Sequence, residues 1–493
     1  MSKKLPIFYS ALLLTGVNLL LRLVSTSFQV YISGSIGAAG VGLLQLVLSV
    51  GALAMTAGMA GIRTATMYLT AAELGRKQPG NVRWVLSGCF IYSILCSGTI
   101  AFALYRFAPW IAEFWVGDVL TAEAIRLYAC FVPIYCLTGV MVGYFTAANR
   151  IGTLALVEVA EQIFSMATTM LMLLFWAGSD PVRACKSIIF GSGMAVCFTL
   201  LCLLVLRIAE KPPVAPRISV RSGLVRTAVP LALADDLKAG ISTTENLMVP
   251  KRLALYPGTD NPLADFGMVS GMVFPVLMFP AAIIFGLAEL LIPELARCNA
   301  AGSKKRIQYL ARRSLKITML YGCFFAGLEI LLGQTLCNRL YQNQDAGMML
   351  QLYGFLIPML YCDAITDAMI KGLGQQTACV RYNILTSAMD VVFLFVLLPR
   401  FGMTGYFVSF LVTHLLNFVL SFRRLVKITG PALSWKTAFF ALAGTGCSIF
   451  IAAHVYQPVL RGVLFAVIFV CVLFLVGVLK KEDICWLKGL IRN

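Results

Sequence analysis

Apolar runs of roughly twenty residues recur from one end of the chain to the other, each long enough to cross about 30 Å of hydrocarbon as a helix. They are Ile7–Tyr31, Val41–Leu69, Trp84–Phe107, Ile125–Ala147, Leu154–Trp176, Ser187–Leu206, Leu224–Leu247, Phe266–Ile292, Leu315–Leu336, Met348–Ile370, Val380–Leu398, Met403–Leu425, Thr437–Val455 and Val459–Leu479. The pattern predicts an all-α polytopic membrane protein of about 14 transmembrane helices, with short loops and no attached soluble domain.

Polar residues interrupt these runs at helical spacing. In the seventh, Asp235, Lys238, Ser242 and Glu245 fall on one stripe, with Asp236 beside it. Each charge near the middle of a membrane helix costs about 2.5–3.5 kcal/mol on insertion scales, so such a stripe cannot face lipid. Other runs repeat the pattern: Asn18, Arg22, Ser25 and Gln29 in the first; Ser49, Thr56, Arg63 and Thr70 in the second; Glu158, Glu161, Gln162 and Ser165 in the fifth; Asp363, Asp367 and Lys371 in the tenth; Asn383, Ser387 and Asp390 in the eleventh. Two readings compete. The neutral members suit inter-helix hydrogen bonding, at about 0.6–2 kcal/mol per pair, whereas Arg22, Arg63 and Lys238 suit the lining of a water-filled cavity. Bases in such a cavity suit an anionic substrate, because guanidinium forks match phosphate. The candidate substrate-binding residues are therefore Arg22, Arg63, Lys238, Asp235, Glu245, Gln29 and Asn18. Asn383, Asp390, Glu158 and Glu161 are candidates for a cation site or for gating, with Na⁺ or H⁺ as the coupling ion.

Composition agrees with a lipid solvent: 59% of the 493 residues are hydrophobic and 13% are charged, about half the usual charged share. The net charge of +18 does not indicate nucleic-acid binding, because the bases sit in alternate connections. With the N-terminus inside, Lys3, Lys4, Arg76, Lys77, Arg217, Arg221, Lys304–Arg306, Arg423, Arg424 and Lys480 are cytoplasmic, while Glu113, Asp118, Asp180 and Asp260 are outside. Both termini are thus expected in the cytoplasm and the basic loops on anionic lipid. Fifteen cysteines lack paired metal-type spacing, and only His414 and His454 exist, so neither a metal site nor a disulfide framework is expected. His414, between Thr413 and Asn417, reads as a packed histidine. The first run is too long for a signal core and reads as a retained helix.

Pro212, Pro213 and Pro216 mark a stiff linker after six runs. The expected organisation is an N-lobe over 1–208, a Pro-rich cytoplasmic linker over 209–222, a C-lobe of six helices over 223–427, and two more helices with a basic tail over 428–493. Weak echoes between the halves (Leu127-Tyr128 with Pro133, Leu352-Tyr353 with Pro358) fit parallel duplication around a central cavity. Gly34–Gly40 is expected to form a short flexible connection, and Pro133, Pro275, Pro280 and Pro358 to kink their helices.

Several stretches resemble a known family. Gly37-Ala38-Ala39-Gly40-Val41-Gly42 through Gln45-Leu46, Glu245 followed by Val249-Pro250-Lys251-Arg252-Leu253, Gly271-Met272 with Pro275, Lys371-Gly372-Leu373-Gly374-Gln375, and Pro399-Arg400-Phe401-Gly402 look like stage V sporulation protein B-like sequences. These form the polysaccharide-biosynthesis branch of the multidrug/oligosaccharidyl-lipid/polysaccharide exporter superfamily. The resemblance implies two six-helix lobes in a V and alternating access. It further implies a flippase in the cell membrane for undecaprenyl-pyrophosphate-linked glycans such as peptidoglycan precursors, with no covalent chemistry and no cofactor, functional as a monomer. Arg22 matches an arginine that related lipid II flippases direct at pyrophosphate; the second base many of them carry is replaced here by Phe28 and Gln29. A cation-coupled multidrug antiporter of the same superfamily is the alternative. A membrane transferase finds no catalytic constellation in the short loops.

Overall fold

The structure is a computed structural model and describes residues 7–76, 78–148, 150–177, 180–209, 221–430 and 434–479. Every regular element among them is helical. The helices are α1 (Ile7–Met59), α2 (Ile62–Gly75), α3 (Val82–Ile111), α4 (Ala122–Ala147), α5 (Ile151–Met172), α6 (Pro181–Ala209), α7 (Arg221–Leu253), α8 (Pro262–Met268), α9 (Phe274–Met278), α10 (Ala281–Ala300), α11 (Lys304–Tyr341), α12 (Gln344–Gly354), α13 (Ile357–Gly372), α14 (Gln376–Thr429), α15 (Trp435–Ala452) and α16 (Pro458–Leu475).

The fourteen apolar runs lie mostly within these helices, and some cross the breaks between them. By length and composition nine of the described helices can cross a membrane, or eleven when each bent pair counts as one span. α1 and α14 hold two runs each, and α7, 33 residues long, is too rich in charge to join that set. The expected flexible connection at Gly34–Gly40 is instead a one-residue break: the chain stays helical to Gly37 (φ 70°, ψ 173°) and resumes. Gly402 (φ 57°, ψ −137°) divides α14 the same way. Only glycine adopts such angles without strain, so each reversal needs no loop.

Three prolines sit where their missing N–H costs little. Pro275 and Pro358 occupy the first turns of α9 and α13, and Pro280 caps α10. The axis bends by 57° between α12 and α13. α4 runs on through Pro133.

Two compact units divide the chain. The first takes Met1–Gly271 with Leu394–Met403, and the second takes Met272–Phe393 with Thr404–Asn493. α7 therefore packs with the first six runs, whereas the sequence groups it with the later ones. The linker residues 210–220 lie outside the described residues. Unit one is a bundle in which Ile62, Val85, Cys89, Met141, Phe145 and Leu203 share one core. Its α1 and α8 meet at backbone distance: a Cβ on Gly42 would strike the Leu263 carbonyl, and one on Gly267 the Ala38 carbonyl. Gly267 and Gly271 form a small-xxx-small pair that lets the helices approach this closely, and Ser33 Oγ donates to the Gly271 carbonyl at 3.3 Å. In unit two, α11 is the central helix, packed by α12, α13, α15 and α16. The rings of Phe324, Phe465 and Phe469 join α11 to α16.

α11 carries a group that the periodicity reading passed over. Glu329 is 4% exposed, and its Oε2 has no hydrogen-bond partner among the described residues. A buried unsatisfied oxygen costs about 1–3 kcal/mol. We expect Glu329→Gln to melt at or above the parent temperature in detergent, and Glu329→Lys to lower membrane abundance sharply.

Candidate functional site: a polar cavity between α1, α2 and α7

Two left-handed residues, Ala60 (φ 42°) and Gly61 (φ 69°), end α1 and restart the chain as α2. Ala60 is strained there at about 1–2 kcal/mol, and the break places Arg63 in the first turn of the new helix. No side chain caps that turn. A cation at this end is disfavoured by the helix dipole, yet uncapped N–H groups beside a guanidinium form a natural anion receptor.

α7 is fastened beside this break. Thr243 Oγ1 donates to the Ser49 carbonyl at 3.1 Å, and Asn246 Nδ2 donates to Ser49 Oγ at 3.0 Å. These contacts turn the exposed Asp235, Lys238 and Ser242 toward α2. With Thr56, Arg63 and Thr64 they line a cavity of about 440 Å³, and Ser242 is shared with an adjoining cavity of about 280 Å³ that Gln45, Ser49 and Asn246 line. Glu158 of α5 lies within electrostatic reach of Arg63, and Glu161 accepts from Thr199 Oγ1 at 2.7 Å.

Of the proposed substrate residues, the structure thus brings Arg63, Asp235 and Lys238 together. Glu245 is half-buried on α7 but does not line the cavity, and Gln29 is half-buried on α1. The side chains of Asn18 and Arg22 lie outside those described. Ser49, Thr243 and Asn246 complete the joint; the sequence signal for the last two was their place on the charged helix.

The tenth, eleventh and twelfth runs form a separate network in unit two. Asn417 Nδ2 donates to both oxygens of Asp363 at 3.1 and 3.2 Å, and Asp367 accepts from Ser421 Oγ at 2.8 Å and Asn383 Nδ2 at 3.3 Å. Asp390 Oδ1 accepts from Ser409 Oγ at 2.5 Å and from Thr413 Oγ1 at 3.2 Å. The His414 ring packs 4.1 Å from that of Phe410. No group of three or more His, Cys, Asp or Glu side chains placed to hold a metal occurs among the described residues.

The fold is shared with solved multi-pass membrane transporters: a multidrug resistance MATE family transporter of the MOP superfamily, in an inward-facing conformation, aligns with TM-score 0.67 and 14% identity over 85% of this chain and 98% of its own. Lipid II flippase MurJ, in an inward closed conformation, aligns with TM-score 0.68 and 11% identity over 96% and 100%. The MatE family model matches residues 14–171. In sequence the chain is similar to stage V sporulation protein B of Bacillus subtilis (strain 168), at 20% identity over 415 residues, 80% of this chain and 78% of that protein.

Proposed function

We propose that the protein is a flippase that moves an undecaprenyl-pyrophosphate-linked glycan, a peptidoglycan precursor or other polysaccharide unit, from the inner to the outer leaflet of the cell membrane by alternating access. The observation that carries this reading is the cavity itself, where Arg63 at the uncapped start of α2 faces Lys238 among the hydroxyls of Thr56, Thr64 and Ser242. That set offers several charge-assisted donors to a diphosphate and hydrogen-bonding groups to a sugar. Asp235 neutralises Lys238 when no headgroup is present. No bond is made or broken, so the protein supplies only differential binding to its two states. The similarities to stage V sporulation protein B and to MurJ support the same substrate class.

In this reading the polyprenyl tail stays in lipid, both termini are cytoplasmic, and one chain suffices. Asn383, Asp390, Glu158 and Glu161 are the candidate coupling groups for Na⁺ or H⁺, and Arg22 adds a further base. A second reading, cation-coupled drug export, draws on the carboxylates of Asp235 and Glu158 near the cavity and on the MATE likeness. Purified protein in proteoliposomes separates the two. Labelled lipid II or another polyprenyl-diphosphate glycan is expected to become accessible on the far side, faster with an imposed Na⁺ or proton gradient if the carboxylates couple it. Export of organic cations with no movement of such glycans would establish the second reading instead.

A further inference from the structure

Unit one contains a further cavity of different character. It is about 660 Å³, within the roughly 300–1,000 Å³ of ligand sites. Its walls are almost wholly apolar: Leu53 and Ala57 from α1 face Ala103, Phe107 and Trp110 from α3, with Trp115 closing one end. No residue that lines it also lines the polar cavity or its neighbour, so this is not an arm of the polar cavity. Phe107 and Trp110 are about half exposed.

Three features fix the depth of this groove. α3 ends in a π turn, Ala112–Val116, stopped by Gly117 (φ 86°), which projects Phe114 and Trp115 at the end of the groove. α5, which runs in the same direction through the membrane, ends in a like turn, Leu173–Ala177, with Phe175 and Trp176 exposed. Aromatic side chains at matching helix ends mark the level of the lipid headgroups. α7 also runs in this direction, and its last turn brings the exposed Lys251, whose Nζ donates to the carbonyl of Phe114. One ammonium proton is used there, and two remain for an anion.

A groove with so little polar lining gives water few partners, and leaving it empty forfeits dispersion contacts along its walls. The molecule at hand in the bilayer is an acyl chain. We propose that this groove is a binding site for an anionic phospholipid, one acyl chain lying between α1 and α3 and the phosphate resting at Lys251. The site is independent of the substrate carried by the polar cavity.

Trp110 and Trp115 report on it directly. In a variant with the other four tryptophans changed (Trp84→Phe, Trp176→Phe, Trp435→Phe, Trp486→Phe), quenching is followed in phosphatidylcholine vesicles as lipid with dibrominated acyl chains is titrated in. Dibrominated phosphatidylglycerol is expected to quench at about fivefold lower mole fraction than dibrominated phosphatidylcholine, the effect of roughly 1 kcal/mol from one lysine at a membrane surface. Lys251→Gln should bring the two curves together. Ala103→Leu and, from the opposite wall, Ala57→Leu should reduce the steep phase for both lipids. Curves that follow bulk mole fraction in the parent, or that neither groove-filling variant alters, mean ordinary boundary lipid and overturn the proposal. So does quenching that phosphatidylglycerol cannot reverse but unbrominated polyprenyl phosphate can.

Discussion

Arg63→Ala is expected to reduce glycan translocation by about 10- to 100-fold while the protein still reaches the membrane at near parental abundance. The size follows from charge-assisted hydrogen bonds, about 1.5–3 kcal/mol each, where 1.4 kcal/mol is a factor of ten. The direction follows from geometry. Arg63 is exposed to the cavity rather than packed in the core, so truncation removes the guanidinium proposed to bind the headgroup without opening a void. Arg63→Lys should recover part of the activity, because it keeps the charge but loses the planar fork. The measurement is lipid II accessibility in proteoliposomes, read beside quantitative membrane blotting. If Arg63→Ala is instead lost by degradation, the residue holds α2 against Glu158 and the binding role fails at this position.

Lys238 provides an internal comparison, since it shares the cavity with Asp235 one turn away on α7. Removing Lys238 leaves Asp235 facing an incoming diphosphate, so Lys238→Ala should cost more than Arg63→Ala. The double variant with Asp235→Asn should recover part of that loss. Such non-additivity is expected of groups within one site and absent between distant ones.

The helices themselves were legible because lipid leaves the chain few choices: a run of about twenty apolar residues must satisfy its backbone internally, and fourteen such runs became helices. The cavity was half legible. Periodicity put Arg63 on one stripe and Asp235 and Lys238 on another, but pairing α7 with α2 depends on the Ser49 joint, which no single-helix pattern encodes. Glu329 was missed because it stands alone among apolar neighbours and forms no stripe. Asn417 was visible only as a neighbour of His414, yet it is the residue that binds Asp363. The place of α7 in the first unit was hidden for a similar reason: a proline linker signals a break in the chain, not which helices pack together afterwards.

Two glycines of the family-like stretches, Gly42 and Gly271, acquire a physical meaning in the α1–α8 crossing, where Gly267 joins them, and this leads to the other large effect. Gly42, Gly267 and Gly271 each lie where a Cβ would overlap the opposing helix, at a backbone carbonyl for the first two and at Val41 for the third. A backbone carbonyl cannot rotate aside as a side-chain end can, so even alanine forces the helices apart. Gly267→Ala should lower stability by about 1–3 kcal/mol, the usual cost of overpacking, and Gly267→Leu by more. A Cβ added at Gly98, in the middle of α3, would meet nothing within 4 Å. Gly98→Ala should therefore raise stability by roughly 0.5–1 kcal/mol through helix propensity alone. Thermal melts in one detergent compare the two directly. Equal, small shifts would mean that the crossing yields easily and that its glycines are not required for close approach. A lowered melt for Gly267→Ala together with lost translocation would tie the crossing to the transport cycle, because a helix pair this tight has no intermediate packing and must be either closed or apart.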